Sequence, residues 1–166
     1  MKQGFVKVAS ATPRIRVADP VYNAQVICEQ AKEAAEHGAK IVVFPELCIT
    51  GYTCNDLFLQ ELLLEKAKEA LLTIAEETGQ LETLFLVGLP VDKDGRLYNV
   101  AAVLYRGRIL GMIPKKNIPM YAEFYEGRHF TPGEETVTEY RLGKQVIPFG
   151  SNLLFRCEEL PELILG

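Results

Sequence analysis

IVVFPELCITGYTCNDLF, Ile41 to Phe58, runs from an apolar segment through an acid into a glycine-containing loop. Ile41, Val42, Val43 and Phe44 form the β-branched and aromatic run expected of a strand covered on both faces in a sheet. Pro45 ends that run, because it brings no N–H to a sheet ladder. Glu46 follows at once, which sets a carboxylate at the carboxyl end of an interior strand, the place where open α/β sheets bind their ligands. Two readings of Glu46 stand at this point. It is a catalytic acid or base, or it is a structural carboxylate that caps a helix or pairs with a nearby Arg or Lys.

Upstream, Phe5 to Ala11 alternates and predicts a first strand, closed by Thr12-Pro13. Asp19-Pro20 is a helix start, with the acid at the cap and Pro in the first turn, where its missing N–H costs nothing. The helix sets Ile27, Ala31, Ala34 and Ala35 on one face and stops at His37-Gly38. Strand, helix and strand in this order make a βαβ crossover and predict parallel neighbours. Downstream, Asn55-Asp56 is expected to cap a second helix, in which Leu62, Leu63, Ala67, Ala70, Leu71 and Ile74 recur at helical spacing up to Thr78-Gly79.

Beyond Gly79 the pattern changes from βα units to hairpins. An apolar strand, Leu84 to Leu89, is expected to end at Pro90; Asp94-Gly95 then turns into Leu97 to Tyr105, and Arg106-Gly107-Arg108 turns into Ile109 to Ile113. The sheet is therefore expected to be mixed, parallel near its start and antiparallel later. Pro114 ends its strand as Pro45 ends the earlier one, and Lys115 follows as Glu46 does. Two strand-Pro-charge junctions of opposite sign point to a carboxylate and an ammonium delivered to one end of one sheet. The alternative is that Lys115 and Lys116 are both solvated surface lysines.

Asn117 to Gly133 has no regular period and carries Met120, Tyr121, Glu123, Phe124, Tyr125, Glu126, Arg128 and Phe130. A loop with that many large side chains either lines a pocket or is stapled to the surface by its own aromatics. Val137 to Leu142, a Gly143-Lys144 turn, Gln145 to Phe149 and Leu153 to Cys157 complete the strands. Pro161 to Gly166 reads as the opening of another buried strand, and the 166 residues are expected to be part of a longer polypeptide.

The composition, 48% hydrophobic and 24% charged, suits one globular domain with a real core. A net charge of −4 with scattered basic residues argues against nucleic acid as the main partner. The N-terminal MKQGFVKVASATP is too interrupted for a signal peptide and no apolar stretch is long enough to span a bilayer, so a cytosolic protein without membrane attachment is expected. Cys28, Cys48, Cys54 and Cys157 show no CxxC pairing and His37 and His129 lie apart, so no metal site is expected and all four thiols are expected to be reduced.

FPEL followed by ITGYTCNDLF, and then IPKKNIPMYAEFYEGRHFTPG, resembles the nitrilase-type carbon–nitrogen hydrolases. Within them it is most similar to the glutaminase domains of glutamine-dependent NAD synthetases. The resemblance implies an α/β fold, the nitrilase-like four-layer α-β-β-α sandwich with mixed sheets, incomplete in this chain. It implies that residues 1–166 are the N-terminal part of a glutaminase domain and that the rest of that domain and the synthetase domain lie beyond. By the match Glu46 is the general base of a Glu-Lys-Cys triad and Lys115 the cation that stabilises the oxyanion. Tyr121 matches a position that contacts L-glutamine, Glu126 a second acid supporting the site near Lys115, and Tyr52 a neighbour in the same pocket. The chemistry is coherent: a thiol needs a base to become a thiolate, and acyl transfer needs positive charge where the carbonyl oxygen becomes negative.

In the family the ammonia so released serves NAD synthesis from deamido-NAD. ATP and magnesium act in the synthetase domain, no cofactor in this one, and the enzymes tend to be homo-oligomers. No phosphate-cradling Gly-rich loop is present here. The family's nucleophile precedes an acidic pair, as Cys157-Glu158-Glu159 superficially does. Cys157 nevertheless closes a strand, and Glu162 to Gly166 reads as the strand that should precede the true nucleophile, so Cys157 is expected to be structural. Cys48 and Cys54, beside the base in sequence, are expected to be structural too. The competing readings are a stand-alone amidase or nitrilase, and a non-catalytic fragment or interaction module.

Overall fold

The computed structural model describes residues 5–166; residues 1–4, the start of the N-terminal segment, lie outside the described residues. Among the described residues nine strands and two α-helices are arranged as β1 (Val8–Ser10), α1 (Pro20–Glu36), β2 (Ile41–Val43), α2 (Glu61–Glu77), β3 (Leu84–Lys93), β4 (Arg96–Tyr105), β5 (Arg108–Pro114), β6 (Thr138–Leu142), β7 (Gln145–Phe149), β8 (Phe155–Arg156) and β9 (Ile164–Leu165). The first seven strands form one sheet in the order β1-β2-β3-β4-β5-β7-β6. β1, β2 and β3 are parallel, β3-β4-β5 antiparallel, β5-β7 parallel and β7-β6 antiparallel. The sheet is thus mixed in the order the sequence predicts.

α1 begins as expected: Asp19 accepts a hydrogen bond from the Tyr22 amide, with Pro20 in the first turn. Both helices lie on one face of the sheet. Ile27 and Ala31 of α1 and Ala67, Leu71 and Ile74 of α2 share a core with Phe85, Val87, Leu89 and Val91 of β3 and Tyr98, Val100, Ala102 and Leu104 of β4. These strand positions alternate, so Gly88 of β3 and Asn99 of β4 belong to the opposite face. Leu153 and Phe155 lie there too, close over Gly111 of β5.

Several sequence-based boundaries move. β1 is only Val8–Ser10, paired residue for residue with Ile41–Val43 of β2. β2 is covered on one face rather than both: Val42 is buried and Val43 is 43% exposed. Asn55-Asp56 starts a separate 3₁₀ turn, Asn55–Leu59, and Gln60 stands at the start of α2. Leu62 is exposed while Leu63 packs inward.

Pro90 does not end its strand; β3 continues to Lys93 with Pro90 opposite Asn99. By then β2 has stopped at Leu86, so no ladder bond on that side is lost to the proline. Asp94-Gly95 and Arg106-Gly107 both form two-residue hairpins with positive φ at each position. The C-terminal segment is not a buried strand but a two-residue one, Ile164–Leu165, antiparallel to Phe155–Arg156, with Ile164 exposed. Among the described residues no helix is long and apolar enough to cross a membrane.

Candidate active site

β2, β3 and β5 run in the same direction, because two antiparallel steps separate β5 from β3. The proline-charge junctions after β2 and β5 therefore open at one end of the sheet. They are still three strand spacings apart, roughly 14 Å. The chain closes that gap by stepping sideways over β3. The Phe44 amide donates to the Leu86 carbonyl at 2.9 Å and the Ile49 amide to the Gly88 carbonyl at 3.1 Å, so residues 45–48 cross β3 at Gly88. A Cβ on Gly88 would stand 2.4 Å from the Leu47 nitrogen and 2.7 Å from the Pro45 oxygen. Leu47 sits in the left-handed region with φ 52° and is fully buried against Cys54, Phe58, Leu63 and Phe130. That conformation costs roughly 1–2 kcal/mol and is held by packing.

The crossing carries the Glu46 side chain to Lys115. Lys115 Nζ lies 2.6 Å from Glu46 Oε1 and 3.0 Å from both carboxylate oxygens of Glu126. Tyr52 OH donates to Glu126 Oε1 at 2.7 Å, and Asn99 Nδ2 donates to Glu46 Oε1. Glu126 is buried, with a side chain 6% exposed, while Lys115 and Glu46 keep 30% and 41%. Burial opposes the charge on Lys115, but the hydrogen bonds to Glu46 and Glu126 outweigh it and hold the ammonium above its usual range. Burial and the hydrogen bond to Glu126 push the Tyr52 phenol up as well. Lys115 stays a cation between the two carboxylates, with 30% of its side chain exposed, and a fixed positive charge is what oxyanion stabilisation needs.

Lys115 is fixed through its backbone. Its amide donates to the Asn99 carbonyl at 2.7 Å, and its carbonyl accepts from the Gly133 amide at 2.8 Å. The loop between them, residues 117–133, is only partly stapled down. The Phe130 amide donates to the Glu126 carbonyl at 2.8 Å, and Phe130 meets Phe58 edge-on at 5.0 Å. Arg128 grips Asp56 with two hydrogen bonds, 2.9 and 3.0 Å, and His129 Nε2 lies 2.9 Å from the same carboxylate. Those partners hold the Asp56 carboxyl well below the usual carboxylate range.

Of the residues singled out from the sequence, the structure brings Glu46, Lys115, Glu126 and Tyr52 together. Tyr121 stands apart: it is exposed, its ring meets Phe124 at 5.5 Å, and no hydrogen bond joins it to the other four among the described residues. Lys116 is the surface lysine of the pair, bonded to Glu135. Gly88 and Asn99 were not singled out. A glycine inside the apolar run LFLVGLP, and an amide inside LYNVAAVLY, were the signals.

None of the cysteines joins this group. Burial pushes the Cys48 thiol up to about 12, and Sγ donates to the Gly88 carbonyl at 3.6 Å. Cys54 is buried on the Thr50 carbonyl, 3.1 Å, with its thiol also pushed up. Burial raises Cys28 to about 11. Cys157 lies in the β8–β9 ribbon, its amide bonded to the Leu163 carbonyl at 3.0 Å. The four are free thiols. Among the described residues no group of three His, Cys, Asp or Glu side chains could hold a metal.

The sequence profile described as carbon-nitrogen hydrolase matches residues 7–152. A glutamine-dependent NAD(+) synthetase of Mycobacterium tuberculosis is 38% identical over 164 residues, 99% of this chain and 24% of the relative. That of Thermotoga maritima is 36% identical over 135 residues, 81% of this chain and 23% of the relative. The chain thus spans about a quarter of the length of the curated relatives it matches. Among solved structures, a glutamine-dependent NAD(+) synthetase from Cytophaga hutchinsonii superposes with a TM-score of 0.86 at 28% identity, over 93% of this chain and 26% of that one. An amidase from Nesterenkonia sp. shares the fold at a TM-score of 0.64 and 24% identity, over 86% of this chain and 54% of that one.

Proposed function

Because this chain belongs to the carbon–nitrogen hydrolase family, we propose that it is the base-and-cation portion of a glutaminase that hydrolyses the side-chain amide of L-glutamine. Its ammonia would serve NAD synthesis from deamido-NAD. The observation that carries the reading is the meeting of Glu46 and Lys115 at 2.6 Å across 69 residues of sequence, at one end of one sheet.

In this scheme a cysteine thiol gives its proton to Glu46 and the sulfur adds to the amide carbon. Lys115 faces the oxygen that becomes negative, Glu46 passes the proton on to the amide nitrogen, and collapse expels ammonia and leaves a thioester that water hydrolyses to glutamate and the free thiol. Glu126, gripping Lys115 with both oxygens, keeps the ammonium in place, and Tyr52 orients Glu126 in turn. Tyr121, on the exposed loop beside the site, is assigned to contact with glutamine.

The nucleophile is assigned to sequence outside these 166 residues, together with the remainder of the glutaminase domain and a fused synthetase domain that uses ATP and magnesium. The synthetase part of this assignment is supported by the names of the mycobacterial and Thermotoga relatives, of whose length this chain spans about a quarter. A cytosolic homo-oligomer is the setting proposed for it.

The test uses the full-length protein with NAD formation as readout. Glu46→Gln and Lys115→Ala are each expected to lower glutamine-dependent synthesis by roughly a hundredfold or more and to leave ammonia-dependent synthesis intact. Loss of both activities, or of neither, contradicts the reading.

A further inference from the structure

We propose that Asn99 is the positioning residue of this site: it aims the Glu46 carboxylate so that Oε2, not Oε1, accepts the proton. The inference rests on the glutaminase reading above and adds to it a residue and a proton address.

Asn99 lies inside β4, is 4% exposed, and stands opposite Pro90 of β3. An amide in that place has to be satisfied, and a Val or Ala would suit the sheet better. Its side chain does not turn to the backbone. Nδ2 donates to Glu46 Oε1, and the orientation follows from chemistry, since a carboxylate oxygen facing the amide oxygen would repel it.

Lys115 Nζ donates to the same Oε1 at 2.6 Å. Two donors occupy that oxygen, and no donor reaches Oε2 among the described residues. A proton arriving from a thiol therefore bonds to Oε2, while Oε1 stays clamped. The main chain of Asn99 holds the second partner, because its carbonyl accepts the Lys115 amide at 2.7 Å. One residue thus sets the base through its side chain and the cation through its backbone, beside the hold that Glu126 and Gly133 of loop 117–133 have on Lys115. The charged groups facing Glu46 here are Lys115 and, across it, Glu126.

Asn99→Asp keeps the size of the side chain and replaces the donor with a second carboxyl beside Glu46. In the full-length protein it is expected to lower kcat for glutamine-dependent ammonia release by about tenfold or more, the rate equivalent of one hydrogen bond to a charged group. The acid limb of the kcat/KM profile is expected to move up by about one pH unit or more. Ammonia-dependent NAD formation serves as the control for folding. Should Asn99→Asp fail that control, Asn99→Ala replaces it, with kcat expected to fall about tenfold while KM for glutamine holds.

A wild-type pH profile and kcat in a folded Asn99 variant, with Glu46→Gln inactive, overturns the inference and leaves the glutaminase reading standing. Retained glutamine-dependent activity in Glu46→Gln overturns that reading and takes this inference with it.

Discussion

The two proline-charge junctions look alike in sequence and are built in different ways. After Pro45 the chain rises off the ladder, turns through the left-handed Leu47 over Gly88 of β3, and meets the β3 edge again at Ile49. After Pro114 it stays in the ladder, with the Lys115 amide on Asn99 and the Lys115 carbonyl on Gly133. The carboxylate is delivered by an elbow that combines local backbone hydrogen bonds with the packing of Leu47, and the ammonium by a strand end held by backbone hydrogen bonds to its neighbours. Rigidity is reached by both routes, but the elbow holds a non-glycine residue, Leu47, at positive φ with its side chain fully buried. It should therefore be the more fragile of the two.

The sharpest way to break the comparison is Gly88→Ala. The new methyl would meet the Leu47 nitrogen and the Pro45 oxygen, both main-chain atoms that cannot yield without moving the elbow. A loss of about 3 kcal/mol is expected, at the upper end for overpacking, read as a lower urea midpoint.

Gly133→Ala tests the other junction, where the methyl would stand 2.4 Å from the Pro114 oxygen. Loop 117–133 is partly exposed and can shift, so a smaller loss, about 1–2 kcal/mol, is expected. Equal losses at the two glycines would erase the distinction.

A third, smaller effect is electrostatic. Lys115 is held above the ordinary lysine value of 10.5 in the folded state. Its contribution to stability is therefore fully present below that value and is lost as pH rises through the folded one. The urea midpoint of the wild-type protein is expected to fall above pH 10.5 more steeply than that of Lys115→Met. Parallel curves for the two proteins would show that the Glu46 and Glu126 contacts do not bias the lysine.

Much of this was legible in the chain. The prolines, Asp94-Gly95 and Arg106-Gly107 act locally, through a missing N–H or a permitted positive φ, so the strand directions and the two charged ends could be read from them. Pro90 misled because its effect depends on whether a neighbouring strand still runs beside it, a tertiary fact. The sideways step from Glu46 to Lys115 was not legible for the same reason, since nothing in IVVFPEL states that Gly88 lies beneath it. Gly88 and Asn99 are each odd in their own strands, but only the sheet register shows that they lie on the same face beside Glu46. The roles of Glu46, Lys115, Glu126 and Tyr121 came from resemblance, and geometry speaks only to which of them meet.

Glutamate release from glutamine in a single turnover, with deamido-NAD and ATP withheld from the full-length protein, isolates the pair from the synthetase chemistry. Glu46→Gln and Lys115→Met are each expected to slow it by roughly a hundredfold or more. A rate within a few fold of wild type in either variant would contradict the claim that this carboxylate and this ammonium together drive amide cleavage.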